Sequence, residues 1–233
     1  MALIDKIVAI ADAIRAKTGK EDKLTLDQMP VEIEGIQTGG GGDRTMEDGM
    51  VGRTITEYIN NTATTIGNYA FANWSILEYV SLPNADTITG GNNFASCTNL
   101  KAVNIPNLRK SVSSSGNNFR QCTSLEELRT PLYDGVLAVS GCTALKLYEI
   151  ATPYNIAASA FTNLTSLEVF VLHSTKVVPL ANISAFTGTP IGNGTGRVYV
   201  PQEFLEGFKT ATNWSAVYEA GTQFLPIEGS EYE

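Results

Sequence analysis

Apolar residues return along this chain in a fixed phrase. Phe71 opens FANWSILEYVSLP, Phe94 FASCTNLKAVNIP, Phe119 FRQCTSLEELRTP, Val139 VSGCTALKLYEI and Phe161 FTNLTSLEVFVL. The starts lie 23, 25, 20 and 22 residues apart, a period that predicts a repeat solenoid made by stacking one small unit. Within each phrase the apolar positions are spaced as a half-buried strand requires. Leu77, Val80 and Leu82 are predicted to point inward, followed rung by rung by Leu100, Val103 and Ile105, Leu125 and Leu128, Leu145, Tyr148 and Ile150, and Leu167, Phe170 and Leu172. The phrase Phe enters from the turn before each strand, and Ile66, Ile88, Val112, Ile156 and Val178 are expected to close the opposite wall. Each rung gives a shared core a few side chains that it could not bury alone.

The flanks have a different periodicity. Leu3, Ile7, Ile10 and Ile14 are spaced for one face of an amphipathic helix that ends near Thr18 and Gly19. Thr25 with Gln28 resembles a capping box, and Leu26, Met29, Ile33 and Ile36 continue at helical spacing if Pro30 sits in the first turn. Residues 1–38 are therefore expected to form a small helical head. Too short to bury its apolar faces alone, the head would pack as a hairpin on itself, on a second copy through Leu3, Ile7, Ile10 and Ile14, or on a larger particle. Residues 39–53 begin with four glycines and read as a linker and lead-in.

Residues 54–227 read as the solenoid with its caps. Residues 54–59 alternate like a strand covering the first rung. At the other end Phe186 opens a further phrase, residues 197–201 form a strand, and Phe204, Leu205, Phe208 and Trp214 fall at roughly helical intervals before a last apolar patch at residues 224–227. This end reads as the cap that an open core cross-section requires. Residues 228–233 are a short tail.

Composition narrows the function. A net charge of −8 and a pI near 4.8 argue against nucleic acid or an anionic membrane as partner. No run of about 18 apolar residues is present, so no membrane span is expected. Asp5, Lys6, Asp12 and Arg15 interrupt the N-terminal segment, so no signal peptide is visible. Cys97, Cys122 and Cys142 share one phrase position, which Trp74 and Leu164 fill elsewhere. That position is a buried apolar slot rather than a metal ligand. With one histidine, His173, and no nucleophile, phosphate-binding or zinc-protease motif, the chain is expected to carry no catalytic residues, no metal and no cofactor.

Strand positions between the inward residues project from one face of an open solenoid, and these are the candidate ligand contacts. They are Tyr79 and Ser81, Asn104, Glu127 and Arg129, Leu147 and Glu149, Val169 and Val171, then His173 and Tyr199. The apolar end, with Leu147, Val169 and Val171 beside Tyr199, is either a contact surface or a patch hidden under the C-terminal cap.

The phrase AF-x-x-C-x-x-L-x-x-V-x-I-P, led by Ile66 and Gly67, resembles the BspA-like class of bacterial leucine-rich repeats over about residues 54–227. The ending VYVPQEFLEGFKTATNW from Val198 looks like the last repeat and cap of that family. The resemblance implies a right-handed, β-rich leucine-rich repeat solenoid of about six rungs, serving as a surface adhesin or recognition module without catalysis. The head, LIDKIVAIADAIRAKTGKEDKLTLDQMPVEIEGI, is similar to N-terminal segments of tail or baseplate-associated proteins of phages and prophages of Gram-positive bacteria. Together these imply a non-enzymatic appendage of a virion or prophage particle whose repeat face recognises a host-surface protein or glycan. The alternative is a bacterial cell-surface or secreted adhesin.

Overall fold

The computed structural model describes residues 55–111, 117–133 and 135–233. The helical head with Leu3, Ile7, Ile10 and Ile14, the glycine linker and Val112 lie outside the described residues. In chain order the strands are β1 (Glu57–Ile59), β2 (Thr65–Ile66), β3 (Tyr79–Ser81), β4 (Thr87–Ile88), β5 (Ala102–Asn104), β6 (Lys110–Ser111), β7 (Glu127–Thr130), β8 (Leu147–Ile150), β9 (Val169–Leu172), β10 (Arg197–Val200) and β11 (Gln223–Pro226). Two short helices, α1 (Leu205–Thr210) and α2 (Trp214–Glu219), lie between the last two strands.

The turn at the head of each phrase sets the stacking. Two residues after the phrase's first apolar side chain, the backbone enters the left-handed region in every rung: Asn73, Ser96, Gln121, Gly141, Asn163 and Gly188 have φ between 60° and 81°. One such residue reverses the chain sharply. Glycine and asparagine tolerate it, whereas Ser96 and Gln121 are held there against their preference. The next rung holds them: Asn73 N–H donates to the Ala95 carbonyl at 2.8 Å, Ser96 to Arg120 at 2.8 Å, Gln121 to Ser140 at 2.7 Å and Asn163 to Thr187 at 2.8 Å.

The same turn delivers the phenylalanines. Phe71 stacks on Phe94 with centroids 5.0 Å apart and Phe94 on Phe119 at 4.7 Å, the planes within 8° of parallel. Beside them each cysteine thiol donates to the Phe carbonyl of the preceding rung: Cys97 to Phe71 at 3.0 Å, Cys122 to Phe94 at 3.0 Å and Cys142 to Phe119 at 2.9 Å. The cysteine slot is apolar, as its sequence neighbours imply, but it also supplies a weak donor to a buried carbonyl. Hydrogen bonding with Cys142 and burial push the Cys122 thiol far above its ordinary range, so the reactive thiolate is suppressed.

Front strands then stack in parallel. β1, β3 and β5 form one sheet, β7 to β11 a second, and β2, β4 and β6 a third on the opposite wall; none closes on itself. Tyr58 pairs with Val80 and Val80 with Val103, while Leu128, Tyr148, Phe170, Val198 and Phe224 follow in register in the larger sheet. Apart from the half-buried Tyr58 at the first edge, these inward side chains are buried in one continuous core. On the opposite wall Ser111 is in register with Ile88.

Val139 replaces the phrase Phe in the fourth rung, and the volume is restored from the strand. Tyr148 brings its ring to 5.4 Å from Phe161, and its hydroxyl accepts from Leu137 N–H at 2.8 Å. At the far end Trp214 of α2 closes the core against Phe186, Phe208 and Phe224 and donates from Nε1 to the Val178 carbonyl at 2.7 Å.

Replacing Phe94 by Ala removes a fully buried ring that stacks on both neighbours. The expected loss is about 3–5 kcal/mol of unfolding free energy, read from the urea midpoint.

Candidate functional site

Alternation along the front strands places the expected contact residues in two rows on the outer face. One row runs Tyr79, Ala102, Glu127, Leu147, Val169, Arg197; the other runs Ser81, Asn104, Arg129, Glu149, Val171, Tyr199. The rows are interrupted between β5 and β7, where the two front sheets end without pairing. There Glu126 N–H reaches the Lys101 carbonyl at a long 3.4 Å, where neighbouring rungs are joined by ladders.

The interruption coincides with a change in rung length. The rung opened by Phe94 runs 25 residues to Phe119, and the next runs 20 to Val139. β6 is the last strand of the opposite wall's sheet, so the shorter rung has no strand to continue it. By the alternation of the flanking ladders, the peptide groups of Val103 and Arg129 face each other across the gap without a ladder.

A groove of about 300 Å³ lies along this gap. Its floor is apolar, with Ala102, Val103, Ile105, Pro106 and Pro131, and Tyr79, Asn104, Glu127, Arg129 and Glu149 supply its polar and aromatic lining. Neither proline has an N–H to extend a ladder past the strand ends. Arg129 links three carboxylate-bearing or aromatic neighbours: its Nε donates to Glu127 at 3.0 Å, its Nη1 to Glu149 at 3.3 Å, and its guanidinium lies 5.6 Å from the Tyr232 ring centre. Glu149 is itself buried, with its other oxygen 2.6 Å from His173 Nε2. Among the described residues, no three His, Cys, Asp or Glu side chains come together to hold a metal, and no helix is long and apolar enough to cross a membrane.

The expected face thus divides. Tyr79, Asn104, Glu127 and Arg129 border the groove, with Ser81 buried behind Asn104, whose Nδ2 donates to Ser81 Oγ at 2.9 Å. The apolar end is not a free surface. Leu147, Val169 and Val171 are buried under Ile227 and Tyr232, and Tyr199 packs against the same cluster. The chain beyond β11 turns back over the sheet, and the Tyr232 ring meets Tyr199 edge-on at 4.7 Å. An uncovered aliphatic patch would hold water against apolar surface, and the chain's own tail removes it. The sequence carried a trace of this: IEGSEYE sets Ile227 and Tyr232 among acidic and small residues, where a merely solvated tail needs neither. Burial, with Glu231 beside it, pushes the Tyr232 phenol up to about 12. A raised phenol favours the neutral form, so this contribution to stability is complete below pH 10 and is lost as pH rises through 12.

Residues 54–168 match the family model described as BspA type leucine rich repeat region, in six copies. No curated protein matches the chain. Among solved structures it is similar to the crystal structure of the pneumococcal vaccine antigen PcpA, with a TM-score of 0.47 and 16% identity over 76% of this chain and 42% of that one. The chain thus spans less than half the length of that antigen's chain, and a likeness this distant transfers no function.

Replacing Glu149 by Ala leaves Arg129 and His173 without their shared acceptor. Arg129 is 42% exposed and His173 27%, so water compensates much of the loss. The expected cost is about 1 kcal/mol in urea unfolding.

Proposed function

We propose that this chain, with a BspA type leucine rich repeat region over residues 54–168, is a non-enzymatic recognition module that holds a host-surface protein or glycan on its outer strand face. The groove between β5 and β7 carries the reading. It joins an apolar floor to an aromatic ring at Tyr79 and planar polar groups at Asn104, Glu127 and Arg129. Sugar rings and peptide segments both present apolar and hydrogen-bonding faces of this kind. Glu127, Arg129, Glu149 and His173 are engaged with one another, an arrangement suited to positioning a ligand rather than to moving a proton. BspA type repeats fit a binding role and are compatible with a cell-surface location.

A finer version makes the chain an appendage of a phage or prophage tail, joined to the particle through residues 1–38. Its support is the head sequence, with the seam of Leu3, Ile7, Ile10 and Ile14. Monomers in light scattering of the full chain would remove that support.

The full-length protein is to be tested on bacterial cell-wall fractions and, separately, on immobilised extracellular glycoproteins. Retention is expected on one of the two, the first favouring the appendage and the second an adhesin. Tyr79→Ala combined with Asn104→Ala should weaken that retention about tenfold or more at a nearly unchanged melting temperature, since Asn104 is exposed and the half-buried Tyr79 lies outside the core. No retention of the parent protein on either would overturn the reading.

A further inference from the structure

The covered half of the outer face has the construction of a closed site. Leu147, Val169, Val171, Ile227 and Tyr232 form a cluster of their own, separate from the solenoid core on the other side of the sheet. Three of the five belong to the sheet and two to the tail. The tail's hydrogen bonds are mostly internal: Ser230 N–H donates to the Ile227 carbonyl at 2.9 Å, Tyr232 N–H to Ser230 Oγ at 3.1 Å and Gly229 N–H to Glu233 Oε2 at 2.8 Å. Two bonds tie it to the body, from Ile227 N–H to the Val200 carbonyl at 3.0 Å and from Gln202 N–H to Glu228 Oε2 at 2.9 Å. Both lie at its root. Gly229 then turns the chain with φ 78° in open space, nothing lying within 4 Å of the position a Cβ would take.

Beyond that turn the segment is held by the Tyr232 ring. The ring meets Tyr199 on one side and the Arg129 guanidinium on another. Arg129 also lines the open groove, so it is the side chain shared by the open and covered halves. Segments held by few buried groups open locally, at free energies well below that of global unfolding. Strand ladders and the aromatic core beneath do not depend on the tail's side chains.

We propose that residues 227–232 are a displaceable lid, which in the closed state occupies the apolar half of the outer face and on opening joins Leu147, Val169, Val171 and Tyr199 to the groove at Arg129 as one continuous surface. The tail is itself the segment that fits this patch, an aliphatic and a tyrosine side chain five positions apart across a glycine turn. A ligand that reaches past Arg129 must displace it. Lid closure then scales down the apparent affinity of such a ligand by the fraction of time the face is open. The proposal extends the reading of the outer face as a binding surface, but its test uses no ligand, so failure of one leaves the other standing.

The test introduces a thiol under the lid of the full chain by Val171→Cys, with Val169→Cys as a second site in the same cluster. The native thiols at Cys97, Cys122 and Cys142 are buried in the solenoid core and report global unfolding in the same sample. With a small aromatic disulfide reagent, the thiol at position 171 is expected to react at least about tenfold faster than the native ones and more slowly than an exposed thiol. Adding Tyr232→Ser should raise its rate about tenfold or more and leave the native thiols unchanged. A thiol at 171 and 169 that reacts only as fast as Cys122, with or without Tyr232, would show that the segment opens only when the whole protein unfolds. Immediate reaction in the parent background would show that the patch is not covered. Either result overturns the lid.

Discussion

The rest of the structure depends on the contact between successive turns. In each rung one residue turns into the left-handed region; in the four rungs opened by Phe71, Phe94, Phe119 and Phe161 its N–H and that of the Phe bond to the next rung, and Phe71, Phe94 and Phe119 stack ring on ring. Rungs separated by some 20 to 25 residues are thereby held a fixed distance apart, and the strands that follow can pair in parallel without any hairpin. The cysteines serve that contact. Each fills an apolar slot and gives its S–H to the carbonyl of the Phe one rung earlier. Asn118 extends the same layer sideways, donating to the buried Asn93 at 2.7 Å.

Because the turns fix the stacking, variation in rung length must appear elsewhere. It appears at the front, where a 25-residue rung meets a 20-residue rung and the ladder from β5 does not pass to β7. The groove there is a product of the same periodicity that builds the core, broken at one step. Its side chains come from the non-repeating strand positions, and its floor includes Val103 and Ile105, which belong to the inward set and line the groove through the gap. On the far side of Arg129 the sheet is continuous and its outer face is aliphatic, and there the chain covers itself with Ile227 and Tyr232.

Much of this was legible in the sequence because the interactions are repetitive. The inward sets, the ring ladder and the role of the cysteine slot follow from letters that recur at one spacing, and the closing role of Trp214 from the apolar intervals near the C-terminus. The outer rows were legible too, since strand alternation assigns them. What escaped is the chemistry of single events. The left-handed position reads as Asn, Ser, Gln, Gly, Asn and Gly, too varied for one signal, because at Ser96 and Gln121 a bond to the next rung's backbone holds a conformation that the residue's own preference does not. The missing ladder between β5 and β7 falls where a 25-residue rung meets a 20-residue rung, and no single phrase reveals it. That Leu147, Val169 and Val171 are covered was one of two readings left open; which residues cover them was not legible, since Ile227 and Tyr232 lie some 60 to 80 positions away and local spacing is blind to contacts of that range.

The account stands on the interruption of the front sheet, and backbone amide exchange tests it most directly. Val103 and Arg129, whose peptide groups face the gap, should exchange their amide hydrogens much faster than Tyr148 and Phe170, which lie in the continuous ladder of β8 and β9. Equal protection at all four would mean that β5 and β7 pair in solution, and the groove with its lining would not exist as described.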